Sequence, residues 1–200
     1  MKTVQIDAAQ FRARIARFAE LQPTVEEYTK RTGVDADAYR FTAARDIFYL
    51  FGAANPDVEA ATRPAVEGPR GASMYIVGSP PGDGPALHAH MRTWETFLVL
   101  SGRWRFEAGD HGQYSAVLGP MDMFSCPPGV SRRFENVSEA QAHLMVIVQG
   151  DAEALDDIAL ATDIGDEIAG RWGEAARAGL ERIGMTFAVE RQAATETIEL

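Results

Sequence analysis

Gly82-Asp83-Gly84-Pro85-Ala86-Leu87-His88-Ala89-His90-Met91-Arg92-Thr93-Trp94-Glu95-Thr96-Phe97-Leu98-Val99-Leu100-Ser101-Gly102 is the stretch from which the rest of the chain can be read. Two histidines one residue apart share a face on a strand, because strand side chains alternate with a period of two. Gly and Pro at Gly82–Pro85 and the Ser101-Gly102 pair are turn signals. The stretch therefore reads as two short strands, with His88 and His90 on the first and Glu95 opening the second. Two imidazole nitrogens and one carboxylate oxygen are a donor set for a single divalent ion. Such a set leaves coordination positions open to substrate or oxygen, the layout of non-haem Fe(II) oxygenases.

Working outward, short apolar runs alternate with turn clusters from Ser73 to Gln149. The runs are Met74–Val77, Ala86–His90, Thr96–Leu100, Trp104–Glu107, Tyr114–Leu118, Met123–Cys126, Arg133–Glu135 and Ala142–Val148. About eight strands at this spacing predict a small double-sheet barrel. Helical periodicity flanks it. Phe11, Ile15, Phe18 and Leu21 predict a helix over Ala9–Leu21, and Pro23 opens a second that Gly33 ends. Ile47–Phe51 is short and aromatic and reads as a strand, followed by a Pro-, Gly- and Ala-rich loop over Gly52–Gly71. After Gly150, Leu155, Ile158, Ala159 and Ala161 suggest a short helix. Ile164, Ile168, Trp172, Ala175, Ala176, Leu180 and Ile183 suggest a longer one, Met185–Val189 a last strand, and the polar end a frayed tail. The expected organisation is an N-terminal extension at 1–70, the barrel at 71–150 and a helical extension at 151–200.

Two motifs in the barrel region give a resemblance. Gly82, His88, His90, Glu95 and Gly102, separated by five, one, four and six residues, match the first signature motif of the cupin superfamily. Asp122 to Asn136 resembles the second, with Pro127, Gly129 and Asn136 in register. The resemblance implies a mainly β fold, the double-stranded β-helix (jelly-roll, RmlC-like) barrel, here with helices at both ends. It also implies a metal site at His88, His90 and Glu95, with Fe(II) favoured and Mn(II), Ni(II) or Zn(II) as alternatives. Where the second motif carries a third histidine, this chain has Arg132. Arginine stays protonated and offers no lone pair, so it cannot ligate. An inward Arg132 would instead meet an anion bound at the open positions, through bidentate hydrogen bonds, and is the candidate catalytic residue.

Other candidates carry weaker signals. His143 lies on the last barrel strand and would replace the missing ligand if its face were inward; an outward face is the expectation. His111, in a Gly-Asp-His-Gly turn, reads as an exposed loop residue. Cys126 reads as a small buried hydrophobe rather than a pocket thiol. Trp94, Phe97, Val99, Trp104, Phe106, Met123, Phe124 and Phe134 are expected to supply lining and core.

Composition narrows the function classes. The chain of 200 residues carries 19 Lys and Arg against 29 Asp and Glu, a net charge of −10. Nucleic acid and anionic membrane both select for excess basic residues, so neither is an expected partner. Residues 1–70 are balanced, 71–150 carry −2 and 151–200 carry −8, so the acidity belongs to the C-terminal quarter. A single cysteine excludes an intramolecular disulfide, and no signal-peptide pattern or long apolar run appears, so a cytoplasmic protein is expected. The favoured function is a metal-dependent cupin enzyme, dioxygenase-like, acting on a small anionic or carbonyl-containing molecule. The alternatives are a metal-free isomerase or epimerase and a non-catalytic binding barrel. A homodimer is expected by analogy, with Ile47–Phe51 offered as the pairing edge.

Overall fold

The computed structural model describes residues 1–53, 63–151, 157–193 and 196–200. Three helices open the chain: α1 (Ala8–Arg12), α2 (Val25–Thr32) and α3 (Ala36–Thr42). The strands β1 (Asp46–Gly52), β2 (Val66–Glu67), β3 (Ala72–Ser79), β4 (His88–His90), β5 (Thr93–Val99) and β6 (Trp104–Ala108) follow. After them come β7 (Tyr114–Leu118), β8 (Met123–Cys126), β9 (Ser131–Asn136) and β10 (Ala142–Gly150). The chain closes with β11 (Ile158–Ala161), α4 (Thr162–Trp172), α5 (Glu174–Arg182), β12 (Thr186–Val189) and β13 (Ile198–Glu199).

The strands form a six-stranded sheet ordered β2-β1-β3-β10-β5-β8 and a seven-stranded sheet ordered β12-β11-β4-β9-β6-β7-β13. Their inner faces enclose one core, so the protein is a mainly β double-stranded β-helix with helices added at both ends. Strict alternation places the core. Along β10, Ala142, Leu144, Val146 and Val148 are buried while the residues between them are only partly so. Phe97, Val99 and Trp104 are fully buried at 0% exposure, with Phe106 and Phe134 beside them. Phe97 lies 5.3 Å from both Phe106 and Phe134 and 6.1 Å from Phe124, ring centre to ring centre. Trp94 and Met123 depart from the expectation, 50% and 63% exposed, because they occupy the alternate, outward positions of β5 and β8.

The flanks differ more from the sequence reading. The expected helix over Ala9–Leu21 reduces to α1, capped by Asp7 and Gln10, and a single turn at Phe18–Glu20. None of its residues is buried, and an amphipathic pattern without a surface to cover does not sustain a long helix. Gly33 ends α2 in the left-handed conformation at φ 69°, as its position suggests. Ile158–Ala161, read as helical, is strand β11 instead; Leu155 lies outside the described residues. Four residues cannot stabilise a helix alone, whereas β11 pairs antiparallel with β4 and parallel with β12. The longer C-terminal helix is two, α4 and α5, broken at Gly173 with φ 89° and ψ 161°. The tail is not wholly frayed, since Ile198 and Glu199 pair with Tyr114 and Ser115.

The outer edge of β1 is already occupied. Thr24 donates its backbone N–H to the Ile47 carbonyl, Ala65 to Tyr49, and Gly68 to Gly52. A second copy adding a strand to Ile47–Phe51 would have to displace these bonds.

Candidate functional site

The two sheets meet around the histidine pair. β4 lies in the seven-stranded sheet and β5 in the six-stranded one, so the short Met91-Arg92 turn carries the chain across the barrel. His88 and His90 therefore face Glu95 across the gap. Their ligand atoms, one from each of His88, His90 and Glu95, lie within 4.8 Å of one another. The His90 Nε2 atom is 3.9 Å from Oε1 of Glu95. His88 is 6% exposed and Glu95 8%.

Both imidazoles have one nitrogen committed. Nδ1 of His88 is 2.8 Å from the carbonyl of Ala86, which can only accept, so Nδ1 carries the proton. Nδ1 of His90 is 2.7 Å from Oδ2 of Asp157. In each neutral ring the lone pair then belongs to Nε2. Burial, reinforced by the charges of Arg132 and His90, pushes the His88 pKa down to about 3 from 6.5. His88 is thus a neutral donor at ordinary pH.

Arg132 is the residue that the register brings in. On β9 it pairs with His88 and with Ala108 on β6, and it is 1% exposed. Its Nε donates to Oε2 of Glu95 at 2.9 Å, and Nη2 makes a short bond to the same oxygen. Nη1 donates to the His88 carbonyl at 2.9 Å. The guanidinium so expected to meet a bound anion is already neutralised by Glu95. Burial alone would raise the Glu95 pKa, but Arg132 and the two histidines hold it below the ordinary carboxylate value.

Asp157 is the site residue that sequence reasoning missed. Besides His90, its carboxylate accepts from Thr93 Oγ1 at 2.6 Å and from the Arg92 backbone N–H at 2.6 Å. Its carbonyl accepts from Met91 N–H at 2.8 Å. It thus fixes both the β4–β5 turn and the His90 ring, and it is 6% exposed. Burial would raise its pKa, but the hydrogen bonds from His90, Thr93 and Arg92 bring it down to about 2. The residue lies 67 positions from His90, in a run of acidic residues that reads as a solvated helix. No local signal marks it.

The remaining candidates lie elsewhere. His143 points away from the barrel and packs against Phe18, ring centres 5.3 Å apart. His111 is exposed, with Nε2 2.8 Å from the Gln192 carbonyl. Cys126 is buried, pairs in register with Glu95, and has its thiol pKa raised by burial.

The low His88 pKa has a measurable consequence. Between pH 6.5 and 3 the unfolded chain binds a proton at this histidine that the folded protein refuses. Stability in metal-free buffer should therefore fall as pH drops through this window, by at most about 1.4 kcal/mol per pH unit from this group. Urea unfolding at stepped pH should show a shallower slope for His88→Gln than for the native chain.

A closed two-sheet barrel with two histidines and a glutamate converging on its interior defines a class of small β-barrel proteins. Residues 75–148 match the family model of the cupin domain. A germin-like protein of Arabidopsis thaliana, subfamily T member 3, is 36% identical over 83 residues, which cover 40% of this chain and 37% of that protein. The chain thus spans little more than a third of that curated relative's length. A solved structure from Klebsiella pneumoniae, an uncharacterised conserved protein with a double-stranded β-helix domain, is 19% identical over 42% of this chain and 71% of its own, with a TM-score of 0.38. A cupin-superfamily sugar phosphate isomerase from Silicibacter pomeroyi is 26% identical over 41% of this chain and 52% of its own, with a TM-score of 0.37. Residues 75–148 thus carry this chain's likeness to the cupin domain. No helix among the described residues is long and apolar enough to cross a membrane.

Proposed function

We propose that the protein is a metal-dependent cupin enzyme acting on a small anionic or carbonyl-containing molecule. One observation carries the reading: each histidine has Nδ1 tied to a protein acceptor, leaving both Nε2 lone pairs beside the Glu95 carboxylate. His88, His90 and Glu95 would hold a divalent ion, with Fe(II) favoured and Mn(II), Ni(II) or Zn(II) as alternatives. A bound ion would supply Lewis acidity and, in the case of iron, access to O₂ chemistry. The orienting carboxylate behind His90 is the kind of outer partner that fixes a metal-binding imidazole.

Arg132 would tune what binds. Its charge is cancelled by Glu95, so a divalent ion entering the site leaves an excess of positive charge in a buried space. That excess favours an anionic co-ligand over a neutral one. The guanidinium has five N–H groups, of which the bonds to Glu95 and the His88 carbonyl use three. The others are free of those bonds and would hold and orient a substrate oxygen. Dioxygenation is the reaction we assign to this set.

A metal-free isomerase or epimerase is the second reading, favoured by the Arg132–Glu95 pair, which is charge-balanced without any ion. Elemental analysis after reconstitution separates the two. Near-stoichiometric metal that His88→Ala abolishes supports the first, whereas less than about 0.1 metal per chain in every divalent ion tried sinks it. Oxygen consumption with diketones, catechols and aromatic carboxylates then tests the reaction.

Asp157 should act as a positioning residue. Asp157→Ala is expected to weaken metal affinity by about 10–100-fold, as loss of an orienting partner does. Titration of the chelator-stripped protein with Zn(II) or Mn(II) measures it. An unchanged affinity would place Asp157 in turn structure alone.

A further inference from the structure

We infer that Tyr49, Ser73 and Tyr75 form a second binding wall of the site, which holds a hydroxyl group at the end of the substrate remote from His88, His90 and Glu95. The inference rests on the reading of that group as the reacting centre, and it narrows the substrate to a hydroxylated carboxylate.

Strand pairing puts the three residues beside Glu95. Val148 pairs with Ser73 on one side and Glu95 on the other, and all three are buried, so they share one inward row of the six-stranded sheet. Ser73 and Glu95 therefore stand two strand spacings apart, about 10 Å. The next row toward the core holds Tyr49, Tyr75, Val146 and Phe97. The two tyrosine rings stack, 4.7 Å between centres and 18° between planes. Their hydroxyls reach back to the Glu95 row. That of Tyr49 is 3.4 Å from Oγ of Ser73, and hydrogen bonds link Tyr75 to both Ser73 and Tyr49. Gly52 leaves room for this, since a Cβ there would stand 2.2 Å from the Tyr49 hydroxyl oxygen. The core beside these groups is otherwise Val, Leu, Phe and Trp, and Ser73 is 3% exposed within it. Burying hydroxyls costs free energy that an apolar residue at the same positions would not.

The chemistry of the wall selects its ligand. The inward positions of β1 and β3 include Ile47, Tyr49, Ser73, Tyr75 and Val77, none of them charged. Burial and the neighbouring Tyr49 raise the Tyr75 pKa, and the Glu95 charge adds to the rise, so the phenol stays protonated. Three hydroxyls carry three protons and six lone pairs, and the bonds among them use at most the three protons. A substrate hydroxyl can donate to the spare lone pairs and accept when a phenol turns toward it. A second carboxylate can only accept, and here it meets the field of Glu95 with no cation on the wall to offset it. A bare alkyl or aryl end would displace water from the hydroxyls without replacing its hydrogen bonds.

Isothermal titration calorimetry of the full chain, Zn(II)-loaded and chelator-stripped, tests this with two matched probe sets. One is meta-hydroxybenzoate, benzoate and isophthalate; the other is delta-hydroxyvalerate, valerate and adipate. In at least one set the hydroxy acid should bind about 10-fold tighter than both analogues. Tyr75→Phe and Ser73→Ala should each cut that ratio to about 2-fold or less while the plain acid binds as before. Tyr114→Phe, on β7 of the other sheet, should leave it unchanged. Far-UV circular dichroism checks folding, and Tyr49→Phe stands in for either variant that does not fold. Metal per chain is counted on the same samples. The preference without any bound metal would sink the metalloenzyme reading and keep the wall, whereas stoichiometric metal with no preference would overturn the wall alone. Binding of no probe, or a preference that every hydroxyl variant leaves intact, overturns it equally.

Discussion

Replacing Arg132 with methionine should cost about 3–5 kcal/mol of stability in metal-free protein, the usual loss when one member of a buried ion pair is removed. Glu95 would be left 8% exposed with a charge and no counter-charge. The second substitution Glu95→Gln should recover most of the loss, because the pair is then removed rather than broken. Urea unfolding of the two variants measures both effects. A divalent ion in the buffer should also shrink the cost of Arg132→Met, since the ion replaces the guanidinium as partner of Glu95. No rescue by any divalent ion would count against the proposed metal site. Arg132→His extends the same logic. It removes a cation from the site and adds an imidazole at the register position opposite His88, so it should tighten metal binding. Titration of the stripped variant with Zn(II) reads this out, and weaker binding than the native chain would sink it.

The second large effect belongs to the core below the site. Phe97 is fully buried and contacts the rings of Phe106, Phe124 and Phe134. Phe97→Ala should destabilise the protein by about 3–5 kcal/mol through lost burial and the cavity left among rigid rings. Phe97 also stands two positions from Glu95 on the same face of β5, so relaxation of the cavity should loosen the glutamate. Chemical denaturation gives the first effect. A loss below about 1 kcal/mol would show that the neighbouring rings collapse into the space.

Much of the barrel was legible because alternation is a local property. The one-residue spacing of His88 and His90 put both on one face, and the turn residues around them marked the strand ends. The same periodicity set Phe97 and Val99 on one face. It did not decide which parity was inward at Trp94 and Met123, since both are apolar and the outer face of this sheet is apolar too. Short segments fared worst. Ile158–Ala161 has neither the length for a helix nor a clear alternation, and only the free edge of β4 makes it a strand.

The sequence by itself determined the ligand-type residues, their shared face and the arginine at the place of a third histidine, all of which depend on spacing along one strand or across one motif. Only the tertiary structure decided what those residues touch. It turned Arg132 inward onto Glu95 and aimed His143 at Phe18. It also brought Asp157 across 67 positions to hold His90. The physical reason is that a side chain's periodicity fixes its direction within a strand, whereas its partners depend on which strands the folded chain lays side by side.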